Sequence, residues 1–298
     1  MTAHMKDDDV DHQRRAIVVK VAGAAALGGL TAFGAAPAAA QSERRRDGTM
    51  RDKGPIDSRS PGAPQGGVKG IDKVVLVHGA FADGSCWAKV IPRLTKRGLT
   101  AIAVQNPLSS LADDVKAVRR VVDAQEGPVL LVGHSWGGAV ITEAGTHPQV
   151  KGLVYVAAGA PDSGQSFQEW WKAYPPAPGA SEIKPYGDGY VALTAEGVRK
   201  HFVQDLPERE AELVFATQGP LAVRCFGDKI SKAAWRSKRS WYIVAAHDET
   251  IPPAVERDSA KRMGAETLVL ESSHVPMLSQ PAAVAELIVK AASSLKLT

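Results

Sequence analysis

The residues with the clearest chemical potential form the segment Gly133-His134-Ser135-Trp136-Gly137, which follows the apolar run Val129–Val132. The run predicts a buried parallel strand, and the residues after the segment predict a helix. A serine on so tight a strand-to-helix turn is forced outward at the carboxyl end of the sheet. The helix that begins there also points its unpaired backbone N–H groups at negative charge developing beside Ser135. The pattern therefore predicts a nucleophile and half of an oxyanion hole.

This segment alone also fits a purely structural turn or a phosphate-binding loop, so the prediction depends on partners in the required order. Residues 240–246 predict a buried strand, and Asp248 follows it. Residues 266–270 predict a further strand, and His274 follows that one. In this order, the histidine takes the proton from Ser135, and the aspartate fixes the histidine tautomer and stabilises the imidazolium. The spacing therefore predicts a triad of Ser135, His274 and Asp248.

Other side chains compete for the acid and base roles. His247 adjoins Asp248, but neighbours in an extended segment point in opposite directions. Glu249 lies one residue from Asp248, and Asp162 follows an earlier predicted strand. We favour Asp248 because its strand immediately precedes the strand that leads to His274.

The elements that must position these residues alternate from Ile71 onward. The patterns predict strands at 73–77, 99–104, 129–132, 152–157, 240–246 and 266–270, and helices at 87–97, 111–125 and after Gly137. Such alternation is typical of the α/β class, in which a parallel sheet carries helices on both faces and ligands bind beyond the carboxyl ends of the strands. All three triad candidates lie at such ends.

Three motifs resemble the α/β-hydrolases from about Ile71 to the C-terminus, and more narrowly the bacterial esterases related to plant methyl-salicylate esterases and hydroxynitrile lyases. They are Val75–Trp87, the Gly-His-Ser-Trp-Gly-Gly segment, and Ser273–Ser279. The resemblance implies an α/β-hydrolase fold with a mostly parallel sheet and an inserted cap. It also implies an oxyanion hole formed by the backbone N–H groups of Ala80 and Trp136.

Residues 160–239 break the alternation and resemble the cap of this fold. Aromatic residues alternate there with prolines and glycines, and a helical stretch is expected from about Thr194 to Phe215. The aromatics either line a substrate pocket or fasten the cap to the core. As pocket residues we expect Phe81, Trp170 and Trp171.

The resemblance leaves three functions to separate. The plant lyases place a threonine after the histidine of the oxyanion loop and a lysine after the catalytic histidine, whereas this chain has Gly79 and Val275. We therefore expect a serine carboxylesterase that acts on small to medium carboxylic esters through an acyl-enzyme. A hydroxynitrile lyase is the alternative, as is a hydrolase-fold protein that binds a small molecule without turning it over.

The charge distribution and the absence of certain motifs limit the kinds of partner that we expect. The formal net charge is +4, and residues 41–70 carry seven basic and four acidic side chains, a net charge of +3. Because the excess lies mostly in this segment, we expect no nucleic-acid partner. The sequence has no metal-ligand spacing, phosphate loop or dinucleotide fingerprint, so we expect neither a metal nor a cofactor. The expected partner is a small-molecule ester.

The first 40 residues resemble a twin-arginine export signal. Arg14-Arg15 precedes the uncharged stretch Val21–Ala40, which ends in three alanines and is too weakly apolar for a stable membrane anchor. We therefore expect a periplasmic or secreted protein, with residues 41–70 as a disordered linker and 71–298 as the folded domain. Cys86 and Cys225 are expected as free buried thiols, with a disulfide as the alternative in an oxidising compartment.

Overall fold

The structure is a computed structural model, and it describes residues 70–295. The predicted export signal at 1–40 and residues 41–69 of the predicted linker lie outside the described residues, as do residues 296–298.

The centre of the fold is a six-stranded sheet in the order β2-β1-β3-β4-β8-β9, in which every neighbouring pair is parallel. Its strands are β1 (Lys73–Val77), β2 (Thr100–Val104), β3 (Val129–His134), β4 (Val150–Val156), β8 (Arg239–Ala245) and β9 (Glu266–Leu270). Each predicted strand is present, with bounds that differ by no more than two residues. Since all six strands are parallel, their carboxyl ends share one edge of the sheet.

Helices cover both faces of the sheet, as predicted. The described helices are α1 (Ile91–Lys96), α2 (Leu111–Asp123), α3 (Trp136–Ala144), α4 (Phe167–Trp171), α5 (Ala195–Gly197), α6 (Glu208–Thr217), α7 (Pro253–Met263), α8 (Pro276–Ser279) and α9 (Pro281–Ser294). Of these, α4, α5 and α6 belong to the insertion between β4 and β8. Helix α1 packs against α9, α2 packs against α3, and α7 packs on β8. Burial of their apolar faces against the sheet forms the core.

The helix predicted at 87–97 is wrong in its first turn. Residues Gly84–Trp87 form a 3₁₀ turn, and the α-helix begins only at Ile91. The Asp83 side chain accepts a hydrogen bond of 2.8 Å from Ser85 N, which favours the tighter turn. Pro92 then stands in the first turn of the helix, where its missing N–H costs nothing.

The insertion between β4 and β8 contains a small antiparallel sheet that the sequence patterns did not predict. Its strands are β5 (Ile183–Gly187), β6 (Tyr190–Leu193) and β7 (Leu221–Ala222). The helical stretch expected from Thr194 to Phe215 is interrupted: α5 continues into a π-helical turn at Val198–Phe202, and α6 starts afresh after Pro207. Proline has no N–H to donate, so a single helix could not run through this position.

Cys86 and Cys225 are free and buried, as expected. Burial raises the pKa of both thiols, so neither is a reactive thiolate near neutral pH. Within residues 70–295 no helix is both long and apolar enough to cross a membrane.

Candidate active site

Ser135 lies in a strained turn between β3 and α3. Its backbone has φ 52° and ψ −120°, in a region that side-chain-bearing residues rarely adopt. A Cβ on Gly133 would lie 2.5 Å from Gly137 O, and a Cβ on Gly137 would lie 2.6 Å from Val77 O. Both glycines are therefore required, because the backbones of β1, β3 and α3 approach closely at this turn. The surrounding structure holds the strain that pushes Ser135 outward.

Asp248 and His274 form a buried hydrogen-bonded pair. The Asp248 side chain follows β8, and its Oδ1 accepts hydrogen bonds from Thr250 N at 2.7 Å and from Ile251 N at 2.8 Å. The other oxygen, Oδ2, accepts from His274 Nδ1. Neither side chain has any exposed surface. Because Nδ1 carries the proton, Nε2 of His274 is the nitrogen that is free to accept one.

The free nitrogen of His274 belongs to the same carboxyl edge of the sheet as Ser135. His274 Nε2 is buried and has no hydrogen-bond partner among the described residues. The ring of His134, which directly precedes Ser135, has its centroid 4.8 Å from that of His274, and its Nε2 donates to His274 O at 2.9 Å. Within residues 70–295 no hydrogen bond joins Ser135 Oγ to Nε2. Such contacts often tighten only when substrate is bound.

The competing side chains have other partners. His247 pairs with Glu271 at 2.7 Å, and Glu249 pairs with His201 at 2.6 Å. Asp162 forms an ion pair with Arg236 that lowers the pKa of its carboxyl. None of these groups contacts the imidazole of His274.

The loop after β1 (residues 78–81), which is the predicted oxyanion loop, is fixed by His78. Its Nε2 accepts a hydrogen bond of 2.9 Å from Asn106 N, so its Nδ1 carries the proton and donates to Gly79 O at 2.8 Å. Burial lowers the pKa of His78, which keeps the ring neutral. The loop also lies against the nucleophile, because a Cβ on Gly79 would be 2.6 Å from Ser135 Cβ.

The two predicted oxyanion donors are the next residues along the chain from this contact, because Ala80 follows Gly79 and Trp136 follows Ser135. The backbone N–H groups of Ala80 and Trp136 donate no hydrogen bond to any of the residues described. The next residue, Phe81, has φ 57° and donates through its N–H to Gly219 O at 3.2 Å, which ties the loop to the insertion. Free N–H groups beside a nucleophile suit an acceptor that develops negative charge.

Asp114 on α2 supports both the strand-to-helix turn of Ser135 (residues 133–137, hereafter the elbow) and a neighbouring turn at Leu108. It has no exposed surface, and its carboxylate accepts hydrogen bonds from Trp136 Nε1 at 2.7 Å and from Leu108 N at 2.8 Å. Burial raises the pKa of Asp114 to about 6, although both hydrogen bonds oppose the shift. A carboxylate that titrates so close to neutral pH therefore holds the indole of Trp136.

The insertion reaches the candidate triad through a segment that sequence analysis missed. The ring of Phe202, at the end of the π-helical turn, lies 5.1 Å from the ring of His274. Gln204 Nε2 donates to His247 O at 2.7 Å, and Asp205 accepts from Ser273 N at 2.9 Å. These three side chains therefore hold the loops that carry Asp248 and His274. No local motif marks them, although π-helical turns recur at functional sites.

Of the predicted pocket residues, Phe81 and Trp170 are buried and Trp171 is half-buried, and they lie in two different settings. Phe81 is in the oxyanion loop next to Ala80. The Trp170 indole donates to Ser259 Oγ at 2.9 Å, and the rings of Trp170 and Trp171 each lie 5.4 Å from Phe167. Trp170 thus fastens the insertion to α7, and a pocket role for these aromatics stays a prediction. Residues 70–295 contain no cluster of three side chains suited to a metal ion.

Comparison with known proteins identifies the family. Residues 74–287 match the model described as the alpha/beta hydrolase family. The chain belongs to this family. The resemblance inferred from the three motifs is thereby confirmed for the family and the fold.

Its relatives include hydrolases and esterases. A pyrethroid hydrolase of Sphingobium wenxiniae is 28% identical over 253 residues, which cover 73% of this chain and 86% of the relative. Putative methylesterase 14 of Arabidopsis thaliana is 23% identical over 251 residues, covering 74% of this chain and 72% of the relative. The crystal structure of polyneuridine aldehyde esterase shares the fold, with a TM-score of 0.66, 22% identity, and coverage of 74% and 99%. The chain is a carboxylic ester hydrolase.

Proposed function

We propose that this protein is a serine carboxylesterase that hydrolyses small to medium carboxylic esters through an acyl-enzyme. The observation that carries the proposal is the buried pair of His274 and Asp248, which leaves Nε2 of the imidazole free beside the elbow of Ser135. A nucleophile, a base and a group that orients the base are the parts that acyl transfer requires.

In the proposed mechanism, Ser135 Oγ attacks the ester carbonyl while His274 Nε2 takes its proton. The N–H groups of Ala80 and Trp136 donate to the oxyanion of the tetrahedral intermediate. His274 then returns the proton to the departing alcohol as the C–O bond breaks, and the acyl group stays on Ser135. Water, activated by the same nitrogen, attacks the acyl-enzyme and releases the acid. Asp248 stabilises the imidazolium in both halves of the reaction.

Two features favour ester hydrolysis over cyanohydrin cleavage. A threonine in place of Gly79 would have its Cβ 2.6 Å from Ser135 Cβ, so the space that an acyl carbonyl needs would be lost. Val275, directly after His274, is apolar and 1% exposed. It offers no positive charge to a departing cyanide.

A panel of p-nitrophenyl esters of rising acyl length, with the full chain and Ser135→Ala side by side, tests the proposal. We expect turnover of short and medium acyl chains and a loss of a thousandfold or more, roughly, in the variant. Release of cyanide from mandelonitrile at a rate that rivals ester turnover, and its loss in Ser135→Ala, would favour the lyase instead. Tight binding of one ligand with no turnover of any ester would favour a binding protein.

A further inference from the structure

A second buried carboxyl lies next to Asp248. Glu256 is on α7 and has no exposed surface, and its Oε2 accepts a hydrogen bond of 3.0 Å from Ala245 N. The carbonyl of Ala245 in turn accepts from the backbone N–H of Asp248 at 3.3 Å. The same turn at the end of β8 therefore holds both residues, and the charge of Asp248 acts on the buried carboxyl of Glu256.

Two buried carboxyl groups held by one turn disfavour double ionisation at neutral pH, because each charge disfavours the other and burial disfavours both. Their hydrogen bonds decide where the shared proton resides. Asp248 accepts three, from Thr250 N, Ile251 N and His274 Nδ1. Glu256 accepts one, and its Oε1 is buried with no donor facing it among the described residues. Donors stabilise the charged form, so the proton belongs on Glu256.

The other ionisable groups around Glu256 leave this assignment unchanged. Tyr242 on β8 is buried and neutral, since burial raises the pKa of its hydroxyl far above the usual value. Arg257, the next residue on α7, favours an ionised Glu256, but its effect is the smallest of those acting there. Burial and the charge of Asp248 together hold the pKa of Glu256 well above that of an ordinary glutamate.

We propose that Glu256 is a positioning residue that stays protonated and donates a hydrogen bond to Asp248. This inference rests on the proposed triad. The bond fixes the carboxylate that orients His274 and withdraws part of its negative charge. A less negative Asp248 stabilises the imidazolium of the catalytic cycle less. Glu256 thus extends the range of pH in which the enzyme is active toward acid.

Two variants of Glu256 distinguish the effect of its donated hydrogen bond from the effect of its side-chain shape. Glu256→Gln keeps an acceptor for Ala245 N and an N–H donor for Asp248, and it cannot ionise. Glu256→Met has a similar shape but no donor. We expect the pH profile of kcat/KM for the glutamine variant to match that of the wild type. For the methionine variant we expect the acid limb to move up by roughly one pH unit and kcat to fall roughly tenfold.

The opposite results would overturn the proposal. If Glu256 were ionised, the glutamine variant would lose a negative charge near His274, and its acid limb would move to lower pH. If the donated bond had no role, the methionine variant would keep the wild-type profile. Should the methionine variant fail to fold, the profile of the glutamine variant still decides where the proton lies.

An infrared measurement tests whether Glu256 is protonated, and it does not depend on enzyme activity. We expect the full chain at about pH 8.5, where Asp114 is ionised, to show the C=O stretch of a buried protonated carboxylic acid, absent from Glu256→Gln and present in Ser135→Ala. Absence of this band from the wild type would contradict the proposal whether or not the protein hydrolyses esters. An active Ser135→Ala variant with the band intact would instead contradict the proposed function alone.

Discussion

Two regions meet at the candidate site, and they are built in different ways. The elbow around Ser135 is held by backbone contacts among β1, β3 and α3, at distances where no Cβ fits. The insertion approaches through side chains, with Phe202 on the ring of His274 and with Gln204 and Asp205 bonded to the two loops. The difference indicates that the elbow holds the proposed nucleophile rigidly. The insertion, by contrast, only supports Asp248 and His274, which other elements supply. Changes to the two regions should therefore have effects of different size.

The largest loss of activity is expected from a change to Asp248, in the part of the site that the six-stranded sheet supplies. Asp248→Asn should lower kcat by about 10⁴-fold, because an asparagine selects the wrong imidazole tautomer. Asp162→Asn is the matched control, since Asp162 binds Arg236 and does not contact His274. Steady-state kinetics on one p-nitrophenyl ester measure both. Wild-type-like activity in Asp248→Asn together with an inactive Asp162→Asn would move the acid to the earlier strand.

A smaller loss is expected from one methyl group at the elbow. In Gly79→Ala the new Cβ would lie 2.6 Å from Ser135 Cβ and 3.0 Å from His134 O, so the oxyanion loop must shift. We expect kcat to fall roughly a hundredfold with the fold intact. Gly227→Ala in the insertion is the control, because its nearest neighbour would be 3.6 Å away, an ordinary contact. Equal activities of the two variants would contradict a rigid elbow.

The pH dependence of stability tests Asp114, which connects the elbow to the Leu108 turn. Its folded pKa, about 6, is raised above the ordinary 3.8. The folded state therefore binds more protons than the unfolded state between these values, so its free energy of unfolding gains as pH falls through them. Between pH 7 and pH 4, the free energy of unfolding of the wild type should rise by roughly 2 kcal/mol relative to that of Asp114→Ala. Denaturant unfolding at several pH values measures the difference, and a constant difference would show that Asp114 does not titrate there.

The smallest effect is expected from the insertion. Phe202→Leu keeps an apolar side chain but removes the ring that lies 5.1 Å from His274. We expect kcat to fall less than roughly tenfold and stability to fall by about 1 kcal/mol. Phe215→Leu on α6 is the control, since Phe215 is 41% exposed. A loss in Phe202→Leu as large as that in Asp248→Asn would remove the distinction between the two regions.

The same contrast explains how far the sequence predicted the structure. The elbow depends on neighbours in the chain, so residues 129–138 were enough to predict its strand, turn and helix. The order of strands then led to Asp248 and His274, which the fold brings together in a buried pair. Phe202 and Asp205 depend on contacts about 70 residues apart in the chain, and Glu256 depends on the path of α7 across β8. Local patterns carry no signal for such contacts.

The most direct test of the proposed nucleophile is covalent labelling of Ser135. Wild type and Ser135→Ala are treated with a p-nitrophenyl phosphonate, which transfers its phosphonyl group to an activated serine, and the products are measured by intact mass and peptide mapping. We predict one phosphonyl group per wild-type chain, located on Ser135 and lost in the variant, with esterase activity falling in proportion to labelling. Full labelling of Ser135 with activity retained, or inactivation through another residue, would contradict the account.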